Sequence, residues 1–150
     1  MKKESIFKLD NEVCFPLYAL SRGITNAYRP FLEALGVTYP QYLALTVLWE
    51  KDGLTVNQIG EKLHLDSGTL TPLLKRLEAK KILVRKRKEE DERVVIITLT
   101  ASGAAMKKKA VKIPQQVVAA LGLTENELKQ LKNFTGKILK KCSKEDSACV

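Results

Sequence analysis

The sequence has one histidine, one tryptophan, three cysteines and no long apolar run, and each shortage closes off a class of function. His64, Cys14, Cys142 and Cys149 make no Cys-x-x-Cys pair and none of the usual zinc spacings, so neither a metal nor another cofactor is expected. Three thiols cannot all pair within one chain, which points to reduced cysteines rather than a disulfide framework. The most apolar stretch, residues 42 to 49, spans about eight residues where a bilayer needs about twenty, so no membrane partner is expected. Residues 1 to 13 carry charges throughout and lack the apolar centre of a signal peptide, and a cytoplasmic location follows. With only eight glycines and five prolines in 150 residues, 45% of them hydrophobic, the chain has the composition of a folded domain rather than a disordered one. One domain of this length buries a core without staples.

What the sequence has in excess is positive charge: 26 Lys and Arg against 17 Asp and Glu, a net +9. Between residues 75 and 88, Lys75, Arg76, Lys80, Lys81, Arg85, Lys86, Arg87 and Lys88 are opposed by Glu78 alone. Such a block suits either a polyanion or a solvated lysine-rich helix face, and its place in the fold decides between them.

Hydrophobic spacing supplies that place. Val13, Leu17, Leu20, Ile24, Ala27, Phe31 and Leu35 recur every three or four residues and predict a helix over 11–35, with Cys14 at its start and Pro16 in its first turn. Tyr39-Pro40 opens a second, largely buried helix, predicted over 41–50 and ending at the turn Lys51-Asp52-Gly53. Thr55 caps a short helix whose inner residues are Val56, Ile59, Gly60 and Leu63. Asp66 caps the next, in which Leu70, Leu73, Leu74 and Leu77 form one buried stripe. Two short helices separated by a few residues have helix-turn-helix spacing. Pro72 leaves two alternatives: the helix loses its bond to the Gly68 carbonyl, or it begins only at Thr71.

Residues 82 to 87 and 94 to 99 are β-branched and extended, and the charged segment 88 to 93 between them predicts a hairpin with a polar tip. A hairpin after a helix-turn-helix is a wing. One long helix is then expected from about 101 to 121, and a last one carries Leu128, Leu131, Phe134, Ile138 and Leu139. The fold class is therefore mainly α with a small β-hairpin wing, a single domain over 1–150. Its winged helix-turn-helix core spans about 38–100, a helical dimerisation region about 10–37 and 101–142, and a flexible tail 143–150. The apolar stripes of the outer helices exceed what the winged core can cover, so a homodimer is expected.

The run Asp66-Ser67-Gly68-Thr69-Leu70-Thr71-Pro72-Leu73-Leu74-Lys75-Arg76-Leu77-Glu78 and the wing Glu89-Glu90-Asp91-Glu92-Arg93-Val94 resemble the MarR family of dimeric winged-helix regulators. Cys14, Tyr18, Tyr28 and Thr38-Tyr39-Pro40-Gln41-Tyr42-Leu43-Ala44-Leu45 resemble its organic-hydroperoxide-sensing branch, and the resemblance covers residues 10 to 142. It implies that Cys14 is a redox sensor, that Tyr28 and Tyr39 of the other subunit hydrogen-bond its thiolate, and that oxidation releases a palindromic operator in double-stranded DNA. An organic hydroperoxide is the implied inducer, with a low-molecular-weight thiol as a possible partner for the oxidised sulfur. The chemistry is sound on its own terms, since a thiolate rather than a thiol attacks a peroxide, and phenol donors with a helix N-terminus favour the thiolate. Cys142 and Cys149 match no sensor position, although a second cysteine serves some relatives as the resolving thiol; Cys149 reads better as part of a solvated tail. Tyr18 and Tyr42 read as packing residues and His64 as a surface residue.

With the leucines inward, at about 100° per residue the outer face of the recognition helix carries Gly68, Pro72, Lys75 and Ala79, flanked by Thr69, Thr71 and Arg76. Ser67, Gly68, Thr69, Thr71, Pro72, Lys75 and Arg76 are the expected DNA contacts of this helix, joined on the wing by Lys86, Arg87, Asp91 and Arg93. Arg93 either enters a minor groove or pairs with Asp91. Two rival functions remain to be weighed. One is a regulator governed by a small phenolic ligand with Cys14 only structural; the other is a thiol peroxidase, which needs neither wing nor basic block. The expected function is a transcriptional repressor and not an enzyme.

Overall fold

A computed structural model describes residues 8–142. The reading of 143–150 as a tail, with Cys149, and that of the charges in 1–7 lie outside the described residues. After a short turn at Leu9–Asn11 the chain forms α1 (Phe15–Leu35), α2 (Tyr39–Glu50), β1 (Leu54–Thr55), α3 (Val56–Leu63), α4 (Ser67–Ala79), β2 (Leu83–Lys88), β3 (Asp91–Leu99), α5 (Ala101–Ala110), α6 (Ile113–Leu121) and α7 (Glu125–Cys142). The three strands make one antiparallel sheet in the order β1-β3-β2, so the wing hairpin is extended by a short third strand. No helix among the described residues is long and apolar enough to cross a membrane.

Threonines start most of these helices. Thr38 and Gln41 form a reciprocal capping box at α2, Thr55 and Gln58 another at α3, and Thr124 and Glu127 a third at α7. Gly36, in the left-handed conformation at φ 69°, ends α1 and turns the chain into α2. From α2 come Leu45 and Leu48, from α3 Ile59, from α4 Leu70, Leu74 and Leu77, and from the sheet Leu83 and Ile97, all fully buried in one core.

Several boundaries differ from those the sequence suggests. The first helix begins at Phe15 rather than near residue 11, with Cys14 as its N-cap, whereas α2 opens at Tyr39-Pro40 as the sequence suggests, with Pro40 in its first turn. Helix α4 runs unbroken from Ser67 through Pro72, so it is the bond to the Gly68 carbonyl that is given up. The wing tip is far shorter than 88–93. Lys88 pairs with Asp91 beside a bulge at Arg87/Lys88, leaving only Glu89 and Glu90 in the turn. The single helix expected over 101–121 is two helices, because Pro114 has no N–H for the Ala110 carbonyl and its ring would press on it. The chain turns at Val111-Lys112 and restarts with Pro114 in the first turn of α6.

The α1 stripe divides in the middle. Ile24, Ala27, Phe31 and Leu35 are half-buried within the chain, whereas Val13, Leu17 and Leu20 remain exposed beside Phe15 and Tyr18. Helix α7 buries none of its residues and exposes Phe134 and Leu139.

One glycine fixes how α5 meets the sheet. Thr100 caps α5 by accepting from the Gly103 N–H, and its own backbone and hydroxyl donate to the Ile82 carbonyl at the root of β2. A Cβ on Gly103 would run into that carbonyl. Helix propensity alone favours Gly103→Ala by about 1 kcal/mol. The clash reverses the sign, and a net loss of about 1 to 3 kcal/mol is expected in urea unfolding. A variant as stable as the wild type would show that α5 has room to move off the sheet.

Candidate DNA interface and thiol site

Helix α4 is held by its leucines and presents its other face to solvent. Ser67, Gly68, Thr69, Pro72, Lys75 and Arg76 are exposed and Thr71 is half-buried. Asp66 accepts from both the Thr69 N–H and the Thr69 hydroxyl, at 2.8 and 3.0 Å, which holds its carboxyl below the usual range and fixes the first turn. The same bonds orient Thr69. A surface built this way is flat at its N-terminal end and cationic one turn further on, the shape of a helix that enters a major groove.

The basic block is less uniform than its composition. Glu78 accepts from the Arg85 backbone N–H at 3.0 Å and from the guanidinium at 2.9 Å, tying α4 to β2. Lys80 donates to the Gly36 carbonyl, and Lys88 pairs with Glu90 at 3.2 Å. Arg85 is thus a structural cation, while Lys75, Arg76, Lys86 and Arg87 are exposed and make no ion pair among the described residues. On the wing, Asp91 accepts from the Arg93 backbone N–H at 3.1 Å and lies 3.9 Å from its guanidinium, whose side chain is 95% exposed. Asp91 therefore shapes the turn from which Arg93 projects.

Cys14 is exposed at the N-cap of α1. Within the chain it is not brought to the two tyrosines: Tyr28 lies fourteen residues along the same unbroken helix, about 21 Å at 1.5 Å per residue. Tyr28 and Tyr39 instead meet each other, with ring centroids 4.7 Å apart, and Tyr42 joins them at 5.7 and 6.3 Å. Burial pushes Tyr28 up to about 12, and the neighbouring Tyr39 and Tyr42 add to the rise. Tyr39 and Tyr42 are raised as well, chiefly by burial. All three phenols hold their protons at neutral pH and are donors. Tyr42 is buried in the core, in line with its reading as a packing residue.

A family described as transcriptional regulator SarA/Rot matches residues 26–110. Over 84% of the chain and 86% of the relative's length, the sequence is 55% identical to the organic hydroperoxide resistance transcriptional regulator of Bacillus subtilis. The chain belongs to the SarA/Rot and MarR-type winged-helix regulators. Among other members of this regulator family, it is 49% identical to the HTH-type transcriptional regulator TtmR of Methylorubrum extorquens, over 82% of the chain and 63% of that protein. The fold matches AbfR of Staphylococcus epidermidis in a structure of the reduced protein bound to DNA, with TM-score 0.75 and 36% identity across 94% of this chain and 99% of AbfR. AbfR is also seen on DNA in an overoxidised form. As a winged-helix regulator of this family, the protein is a DNA-binding transcriptional regulator.

The Glu78–Arg85 pair makes a pH test of the interface scaffold. Arg85 holds the Glu78 carboxyl below its ordinary 4.5, so the folded state gains stability from the ionised form. That gain is complete above the ordinary value and is lost as the pH falls through the lowered one. The melting temperature of wild type should exceed that of Glu78→Gln at neutral pH, and the margin should close on acidification. A margin that stays constant with pH means the pair adds nothing.

Proposed function

We propose that the protein is a homodimeric repressor of a palindromic operator and releases it when Cys14 is oxidised by an organic hydroperoxide. The observation that carries this reading is the separation within one chain: an exposed thiol starts α1, and a cluster of protonated phenols lies about 21 Å along it. Only a second copy brings the two together. The exposed apolar residues beside Cys14, with those of α7, supply a surface for that copy, in keeping with a dimerisation region over about 10–37 and 101–142. The relative named for organic hydroperoxide resistance supports the choice of oxidant.

In the reaction the Cys14 thiolate attacks one peroxide oxygen. The S–O bond forms as the O–O bond breaks, the alkoxide leaves and takes a proton to become an alcohol, and the sulfur is oxidised to sulfenic acid by two electrons. Phenol donors from Tyr28 and Tyr39 favour the thiolate beforehand. The product no longer carries the charge that both donors satisfied. A low-molecular-weight thiol or Cys142 then condenses with the sulfenic acid. The protein works in the cytoplasm on double-stranded DNA, with Ser67, Gly68, Thr69, Thr71, Pro72, Lys75 and Arg76 in the major groove. Lys86, Arg87 and Arg93, the last oriented by Asp91, act from the wing, and the DNA-binding core as a whole spans about residues 38–100.

A second reading is favoured by a cleft of about 180 Å³ lined by Tyr42, Thr46, Trp49, Lys107, Val111 and Pro114, roomy enough for one aromatic ring. Under it a small phenolic ligand, not oxidation, governs DNA binding.

Replacing Lys75 or Arg76 with alanine should weaken operator binding by about 1 to 3 kcal/mol in a gel shift and relax sequence preference at defined positions. Loss that is equal on all sequences makes them phosphate contacts. Cys14→Ser should bind operator like the reduced wild type and keep it in the presence of an organic hydroperoxide, because the hydroxyl preserves the packing but is not oxidised. Release from Cys14→Ser would falsify the sensor assignment and favour the phenolic-ligand reading.

A further inference from the structure

Trp49 is the only tryptophan in the sequence, and among the described residues it takes part in two hydrogen bonds that join α2 to α5. Its indole N–H donates to the Gly103 carbonyl at 2.9 Å, and its backbone carbonyl accepts from Lys107 Nζ at 2.8 Å. On one side its ring meets Tyr42 edge-on, with centroids 6.2 Å apart, and Tyr42 touches Tyr28 and Tyr39. On the other, Gly103 is pressed against the Ile82 carbonyl, and Thr100 bonds to the same carbonyl and to that of Lys81. A chain of contacts therefore leads from the phenol cluster through one indole to the root of the wing.

We infer that Trp49 is a positioning residue for the regulatory response: its hydrogen bonds to α5 couple the state of the phenol cluster to the setting of the wing. The inference rests on the peroxide-sensing reading above. Helix α2 is packed on nearly all sides and moves as a rigid rod, so a shift of Tyr39 and Tyr42 at its N-terminal half is delivered at Trp49 near its C-terminal end. The indole and the Lys107 ammonium pass that shift to α5. The space for a Cβ that Gly103 lacks leaves no slack between α5 and β2.

The test uses the full-length dimer, tert-butyl hydroperoxide as oxidant, and a palindromic duplex selected by the reduced protein from a random-sequence pool. Mass spectrometry confirms oxidation of Cys14 in every sample. In the wild type, Trp49 emission should change in step with DNA release. In Trp49→Phe, which keeps a ring against Tyr42 but has no N–H, the ratio of reduced to oxidised affinity should fall toward one from the about 5- to 150-fold expected of an allosteric response. Lys107→Met removes the other bond from an exposed side chain and should act in the same direction, and it carries the test if Trp49→Phe does not fold. A purely structural role would change melting temperature and reduced-state affinity but leave the ratio intact. The inference is overturned if DNA is released with Trp49 emission unchanged, or if either folded variant releases at the wild-type ratio. Failure of the sensing reading is distinct, since it shows as release from Cys14→Ser.

Discussion

Burial of α2 is the constraint to which the remaining elements answer. Gln41, Tyr42, Ala44, Leu45, Val47 and Leu48 are all buried, and α1, α3, α4 and α5 pack around them. A helix that hides nearly every side cannot bend or move at one end alone without opening apolar surface, at about 25 cal/mol for each Å² exposed. Its two ends are correspondingly coupled. At the N-terminal end the Thr38 and Gln41 capping box and the Tyr28, Tyr39 and Tyr42 rings set its position; at the other, Trp49 does.

The same packing sorts the charges. Arg85 and Lys80 are drawn into bonds that hold α4 against β2 and the end of α1, and their partners are a carboxylate and a carbonyl exposed by the fold. Lys75, Arg76, Lys86 and Arg87 are exposed and take no part in these supports. The protein thus spends two cations on geometry and keeps others for a polyanion, a division that a count of Lys and Arg cannot reveal. The acids of the wing tip work likewise. Asp91 makes the turn, Glu90 tethers Lys88, and Arg93 is left projecting.

Much of this was legible in the sequence. The leucines at 70, 73, 74 and 77 placed α4 and its exposed face, because a 3.6-residue period needs no tertiary information. The order of helices and wing followed from the change of period after Lys81, and the start of α1 at Cys14 from Pro16. Two kinds of feature were not legible. Pro114 lay in a run of apolar residues whose spacing continues across it, and the spacing hid the break that the missing N–H enforces. Contacts between residues distant in sequence, such as Trp49 with Gly103 or Leu99 with Asp52, are set by packing and leave no local signature. The proposed thiol site rests on family resemblance, since Cys14 and Tyr28 are far apart in one chain and chemistry between them would require two.

Pro72 has a consequence beyond the bond it omits. The Gly68 carbonyl has no i+4 donor, and it lies on the exposed face of α4, beside Thr69 and about two turns before Lys75. Lysine and arginine offer only donors, which match the acceptor edges of guanine and the phosphates. A backbone oxygen without its i+4 partner offers the opposite polarity and is chemically matched to an exocyclic amine such as that of adenine or cytosine. Because that oxygen belongs to the main chain, no side-chain substitution at residue 68 removes it. Restoring an N–H at position 72 would engage it within the helix.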